Sequence, residues 1–233
     1  ASAFTDPKDR KFYVSLFGDN NNDGLTPQTA WRTISYAAKQ FFVADSQKVT
    51  LSLASGVYSL SSVGEAFPFR VDDYVILEGA AEGETIFDGE NLSRILEIDG
   101  GKHFELRRLI FQNGNAGGEN GGGARLTNAE NAVIENCTFR NNVGKLGGGL
   151  ALEGAVSGRI QNNVFSENGA VDGGGAFLSG DSLRFVENTL FANQADSGKG
   201  GGVFVNFSNS LEIKANEDFE NQAKQGGGVA LQN

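Results

Sequence analysis

From Lys48 onward, apolar and polar residues alternate in short bursts with a period of two. Val49, Leu51 and Leu53 form the first burst, Phe67, Phe69 and Val71 the second, and Val75 and Leu77 the third. Ile86, then Ile95 to Ile98 and Phe104 to Leu106, carry the alternation to Phe111-Gln112-Asn113. Turn-forming residues bound every burst, so the pattern predicts short strands. Past residue 120 the bursts become periodic. Gly121-Gly122-Gly123, Gly147-Gly148-Gly149, Gly173-Gly174-Gly175, Gly200-Gly201-Gly202 and Gly226-Gly227-Gly228 begin segments spaced 26, 26, 27 and 26 residues apart. Self-similarity at such a period predicts a solenoid in which each repeat is one coil.

Each triplet precedes an apolar-x-apolar pair: Ala124/Leu126, Leu150/Leu152, Ala176/Leu178, Val203/Val205 and Val229/Leu231. Alternation sends these pairs to the coil interior and Arg125, Ala151, Phe177, Phe204 and Ala230 outward. A second strand follows (Val133–Ile134, Arg159–Ile160, Phe185–Val186, Leu211–Ile213), its inward register left open by one-residue shifts between coils. A third turn carries Phe139, Phe165, Phe191 or Phe219. Two asparagine columns accompany them: Asn136, Asn162, Asn188 and Asn216, then Asn113, Asn141, Asn168, Asn193 and Asn221. Asparagine tolerates left-handed backbone, and amides stacked one coil apart can bond one another, so both columns are expected to be structural corners. The glycine triplets recur in every coil and precede strands, which sets them apart from a phosphate-binding loop that occurs once before a helix.

The first 47 residues break the pattern. Phe12 to Ser15 reads as a strand and Gly18 to Gly24 as a run of turn formers. From Thr29 to Gln40, Ala30, Trp31, Ile34, Ala37 and Ala38, with Phe41 beyond, fall at helical spacing after Thr26-Pro27. This stretch is expected to be a capping helix that closes the first coil, with Trp31 and Ile34 pressed onto it. The expected fold is therefore all-β: a right-handed, single-stranded parallel β-helix of about seven to eight coils. Residues 1–47 form its N-terminal strand, turn and capping helix, and residues 48–233 the β-helix in one continuous domain. No cap follows Leu231, which raises the expectation of further domains, or of a partner chain, at the C-terminal end.

The formal charge of −10 argues against nucleic acid or an anionic membrane as partner. The sequence holds one cysteine, Cys137, so no internal disulfide can form, and it has no run of about 18 apolar residues for a helical membrane span. It also lacks the charged-then-apolar opening of a signal peptide.

Family likeness enters through particular residues. Tyr13-Val14-Ser15, Asp23-Gly24-Leu25-Thr26-Pro27, Thr29-Ala30-Trp31-Arg32-Thr33-Ile34, Gly56-Val57-Tyr58, Gly64-Glu65-Ala66-Phe67-Pro68 and Ile86-Phe87-Asp88-Gly89 resemble an uncharacterised domain. That domain opens many bacterial right-handed β-helix proteins of the pectate-lyase-like superfamily. The later coils, with Gly-Gly-apolar followed by Phe139-Arg140-Asn141-Asn142 or Phe165-Ser166-Glu167-Asn168, resemble polymorphic outer-membrane protein repeats. The resemblance implies a β-helix at the cell surface or secreted, in a superfamily of lyases, hydrolases, epimerases and adhesins. Such a fold does not fix an activity.

Candidate chemistry is sparse. Asp72-Asp73 is the one Asp-Asp pair, and Asn-Thr-Asp, Gly-His-Gly and Arg-Ile-Lys, which polygalacturonase-like hydrolases share, do not occur. Glu97, Asp99 and Glu105 near Lys102, Arg107 and Arg108, with Arg125 and Glu153 on adjoining coils, are loose charged columns rather than a lyase motif. His103 is the sole histidine. No residue is assigned as catalytic. Asp19, Asn21 and Asp23, followed by Gly24, copy the first half of a Ca²⁺ loop, but the closing acid position is Ala30. Two readings stay open there, a bound Ca²⁺ and a turn held by side-chain-to-backbone bonds, and no other cofactor is indicated. Phe177 and Phe204, outward on adjacent coils, are candidate ligand-binding residues for a sugar ring or a partner surface; cover by the Asn206 to Asn209 turn is the alternative. The reading is a non-enzymatic β-helix module of a bacterial surface or secreted protein, a stalk or a binder of carbohydrate or another surface protein. A polysaccharide lyase is the alternative.

Overall fold

The structure, a computed structural model, describes residues 10–40 and 47–232. The chain winds as a parallel β-solenoid of about seven turns, as the repeat requires. Three long sheets form its walls. Eight strands make the first: Arg10–Val14, Val49–Leu53, Val75–Glu78, Glu105–Arg107, Val133–Glu135, Arg159–Gln161, Leu183–Val186 and Leu211–Lys214. Seven make the second, from Gly56–Tyr58 to Glu217–Phe219, and six the third, from Leu96–Asp99 to Val229–Gln232. A fourth sheet of three short strands (Gly169–Ala170, Gln194–Lys199, Gln222–Gln225) accompanies the later coils among the described residues. Neighbouring strands pair in parallel throughout, so each side chain lies above its counterpart one coil away.

The alternation of the sequence is realised as burial. Val49, Leu51 and Leu53 point inward, and so do the pairs after the glycine triplets from Ala124/Leu126 to Val203/Val205. The second strands settle with Ile134, Ile160 and Phe185 inside. Phe87, Phe111, Phe139, Phe165 and Phe185 form a continuous file of rings through the interior. Phe111, Phe139 and Phe165 stack nearly face to face, at 4.9 and 5.1 Å with 6° between planes. Phe191 and Phe219 depart from the expected file. The register places Leu190 against Phe165, so Phe191 shifts one position outward and packs at a tilt on Phe219 on the outside, where Phe219 is exposed.

The glycines act as corners. The first of each triplet has left-handed backbone, with φ of 62° to 67°, a region costly for a residue with a Cβ. The third packs against the coil beyond: a methyl carbon at Gly149 would lie 2.7 Å from the Gly175 carbonyl oxygen.

The asparagine ladders exist, one residue away from where the first members were expected. One runs Asn142–Asn168–Asn193–Asn221 and the other Asn163–Asn188–Asn216. In each rung the Oδ1 accepts both the backbone N–H and the side-chain amide of the asparagine one coil before. The Asn168 amide also donates to the Phe139 carbonyl at 2.9 Å. Asn113, Asn136, Asn141 and Asn162 instead take the preceding corner, each with φ between 54° and 55°. At these two columns of corners a left-handed residue is followed by a ladder residue. Cys137 fills a ladder place, its N–H donating to Asn163 Oδ1, and burial pushes its thiol up to about 12.

The expected capping helix is replaced by other structure. Trp31 lies in a parallel bridge with Val14; its N–H donates to the Tyr13 carbonyl and its own carbonyl accepts from Ser15. A residue bonded on both sides like a strand cannot belong to a helix, so the apolar spacing from Ala30 to Ala38 serves a bridge and then a single turn, Ile34–Ala37. The Thr33 hydroxyl caps that turn, and buried Glu65 accepts the N–H groups of Ile34 and Ser35. Trp31 and Ile34 are nonetheless buried on the first coil, with Trp31 stacked on Phe12 at 5.2 Å. Phe41 falls outside the described residues.

Candidate functional site

The third sheet presents an outward column that the pairing defines one coil at a time. Phe69 bridges Leu96, and Glu97 pairs with Arg125, Arg125 with Ala151, Ala151 with Phe177, Phe177 with Phe204 and Phe204 with Ala230. Arg70, next to Phe69, lies beside Glu97. The early half of this column is charged and the late half apolar.

Glu97 is the centre of the charged half. Its carboxylate meets Arg70 at 2.6 Å, Arg94 at 3.3 Å and Arg125 at 3.8 Å. Arg125 also pairs with Glu153 at 2.9 Å, whose other oxygen accepts from Asn120. Arg94 is buried beneath the column and ties its floor to the neighbouring turn, donating to Glu119 and to the carbonyls of Asn120 and Gly121. The Arg70 hydrogen bond, with Arg94 and Arg125 behind it, holds the Glu97 carboxyl below its ordinary range. Glu97 in turn raises Arg70, and Glu153 raises Arg125. Arg70 is three-quarters exposed, so solvent screens its bond and the pair adds little to stability.

Two adjoining hollows border the column. One of about 470 Å³ is lined by Arg70, Asp72, Glu97, Asp99, Arg125 and Asn128, among others. The Asp99 carboxylate accepts from the Thr127 hydroxyl at 2.7 Å. The other hollow, about 460 Å³, shares Arg70 and Asp72 and adds Ala38, Lys39, Phe67 and Pro68.

Glu97, Asp99, Arg125 and Glu153, legible in the sequence as loose charged columns, meet in this cluster. Glu105 and Arg107 do not. They lie on the first sheet, where Glu105 pairs with Arg107 and Lys48, while Arg108 pairs with Glu78 and Lys102 with Glu130. The sequence reading missed Arg70, Arg94, Glu119, Thr127 and Asn128. The available signal was the outward i, i+2 pairs Arg70/Asp72, Glu97/Asp99 and Arg125/Thr127. It was obscured because the first two coils lack the glycine triplet that sets the register.

Phe177 and Phe204 lie against each other on adjacent coils, ring centres 5.7 Å apart and planes tilted by 56°, but each is only 5% exposed, so they offer no open aromatic platform. Lys199, from the fourth sheet, lies over Phe204 with Nζ 5.6 Å from the ring centre. Asp19, Asn21 and Asp23 fall in one compact turn. Asp19 Oδ1 accepts from the Asn21 backbone and side chain. Asp23 Oδ1 accepts from Thr29 Oγ1 and Leu25 N, bonds that lower the Asp23 pKa. Among the described residues no group of three or more His, Cys, Asp or Glu side chains is placed to hold a metal. His103 stacks on Tyr74 at 5.1 Å.

Fold and groove together define a parallel β-solenoid with an outward charged groove. The model of the right-handed β-helix region matches residues 72–230, and the chain belongs to that family. Among solved structures it is similar to a pectate lyase, Pel9A, with a TM-score of 0.63 at 17% sequence identity. The alignment covers 95% of this chain and 58% of that one, so this chain spans little more than half of the lyase's length. At that identity the likeness is one of fold. No curated protein matches the chain in sequence.

Proposed function

We propose that this chain is a non-catalytic β-helix module of a bacterial cell-surface or secreted protein, binding carbohydrate or another surface protein along the groove at Glu97. The observation that carries this reading is the pinning of the groove's ionic groups. A lyase abstracts a proton with an unprotonated base, and an Arg in that role must be able to release its proton. Arg70 and Arg125 are held the more firmly protonated by Glu97 and Glu153. The Glu97 carboxylate is committed to guanidinium groups, which removes it from the free oxygen set a Ca²⁺-dependent lyase would use. Groups fixed in their charged forms suit recognition better than proton transfer. The Gly-Gly-apolar and Phe-x-x-Asn repeats support placement at the cell surface.

The second reading, a polysaccharide lyase, draws on the fold likeness to Pel9A. Incubation with acidic polysaccharides in the presence of Ca²⁺, monitored by ultraviolet absorbance for unsaturated chain ends, separates the two. The expected result is no turnover. Steady formation of unsaturated ends would overturn the non-catalytic reading.

A further inference from the structure

We infer that the groove at Glu97 selects a neutral pyranose polysaccharide and rejects a polyanionic one. The inference rests on the binding-module reading above and assigns its ligand class. The hollow beside the column is lined by two guanidiniums, Arg70 and Arg125, against three carboxylates, Asp72, Glu97 and Asp99. Both guanidiniums are already engaged by Glu97 or Glu153. A uronate carboxylate entering the hollow would meet guanidiniums whose charge is already offset by Glu97 or Glu153, and would lie beside those carboxylates. It would also approach Asp72 and Asp99, whose like charge repels it. The chain's net charge of −10 adds repulsion at longer range.

A neutral sugar meets none of these costs. Its hydroxyls can donate to Asp72 and Asp99 and accept from Asn128 and from the outer N–H groups of Arg70, without any ion pair being broken. The adjoining hollow supplies what the other side of a pyranose needs. Phe67, Pro68 and Ala38 line it, and Arg70 and Asp72 belong to both hollows, so one chain can pass from the apolar surface to the polar one. Sugar C–H faces pack on such aromatic and proline surfaces while the hydroxyl edge turns to the polar groups.

The test holds the polymer backbone constant and changes its charge. The whole protein is run by affinity electrophoresis through gels containing polygalacturonate, fully methyl-esterified polygalacturonate, a neutral galactan or xyloglucan. At least one neutral polymer is expected to retard the protein, and polygalacturonate to leave its mobility unchanged. The double variant Asp72→Asn/Asp99→Asn leaves the two guanidiniums facing Glu97 and is expected to gain retardation in polygalacturonate. Asn128→Gly, which keeps the left-handed corner and removes only the amide, is expected to weaken neutral binding at least threefold, and unchanged binding counts against the inference. Preference of the wild-type protein for polygalacturonate, or no retardation by any neutral polymer, overturns this inference and leaves the non-catalytic reading standing. Unsaturated ends released from polygalacturonate overturn that reading instead.

Discussion

One column of outward residues runs along the third sheet, and its two halves obey different rules. Over the early coils Arg70, Glu97 and Arg125 stand beside open hollows and satisfy one another as ions. Over the later coils Ala151, Phe177 and Phe204 occupy the same face of the same sheet and are 0 to 5% exposed. Outward in a solenoid is a direction relative to the coil axis and does not guarantee contact with water. The fourth sheet accompanies only the late half, and its Lys199 arches over Phe204 toward Gln232. In the late half Phe177 and Phe204 lie against each other, Lys199 reaches over Phe204, and the outward face is buried and apolar. Where that face stays open, charge is retained and a ligand can reach it.

The largest effect separating the halves should come from side-chain truncation. Phe177→Ala is expected to cost about 3–5 kcal/mol, the usual loss for a buried aromatic, whereas Arg70→Ala at the exposed end should leave the unfolding midpoint almost unchanged. Urea denaturation of both variants checks this; equal losses would show that the two halves do not differ in burial.

Next in size is the ladder that belongs to the late, regular coils. Asn168→Ala removes the buried acceptor of both the Asn142 N–H and its side-chain amide, which is expected to cost about 2–4 kcal/mol. Asn141→Ala, one corner residue away, removes no rung and should cost about 1 kcal/mol through its left-handed backbone. A reversal of that order would place the ladder at Asn141.

A smaller effect distinguishes the charged half by pH. The folded pKa of Glu97 lies below its unfolded value, so its contribution is complete above the ordinary carboxyl range and is lost as pH falls through the folded value. Glu97→Gln should therefore lose slightly less melting temperature than the wild type on acidification from about pH 6 to about pH 3, while matching its slope above about pH 6. Parallel curves throughout would remove Glu97 as a linked group.

The smallest expected change concerns the Asp19 to Asp23 turn, whose acids already accept hydrogen bonds from within the turn. Millimolar Ca²⁺ should leave the melting temperature unchanged and give no heat on titration. A saturable heat that disappears in Asp23→Asn would establish the cation site.

The pattern of the chain carried much of this architecture before any tertiary contact was known. Period-two bursts, triplets recurring every 26 or 27 residues and phenylalanines in step dictated a parallel solenoid with stacked rings inside. The reason is local: alternation chooses a face, and a left-handed corner selects glycine or asparagine. Three matters were decided between coils. In Asn141-Asn142 and Asn162-Asn163 either residue suits a corner, and only the partner one coil away determines which amide joins the ladder. The helical spacing around Trp31 was overruled because Tyr13 and Ser15 take its backbone groups into a parallel bridge. Whether an outward side chain meets water, as Arg70 does, or is covered, as Phe204 is by Phe177 and Lys199, depends on residues one coil or more away, and no period in the sequence records it.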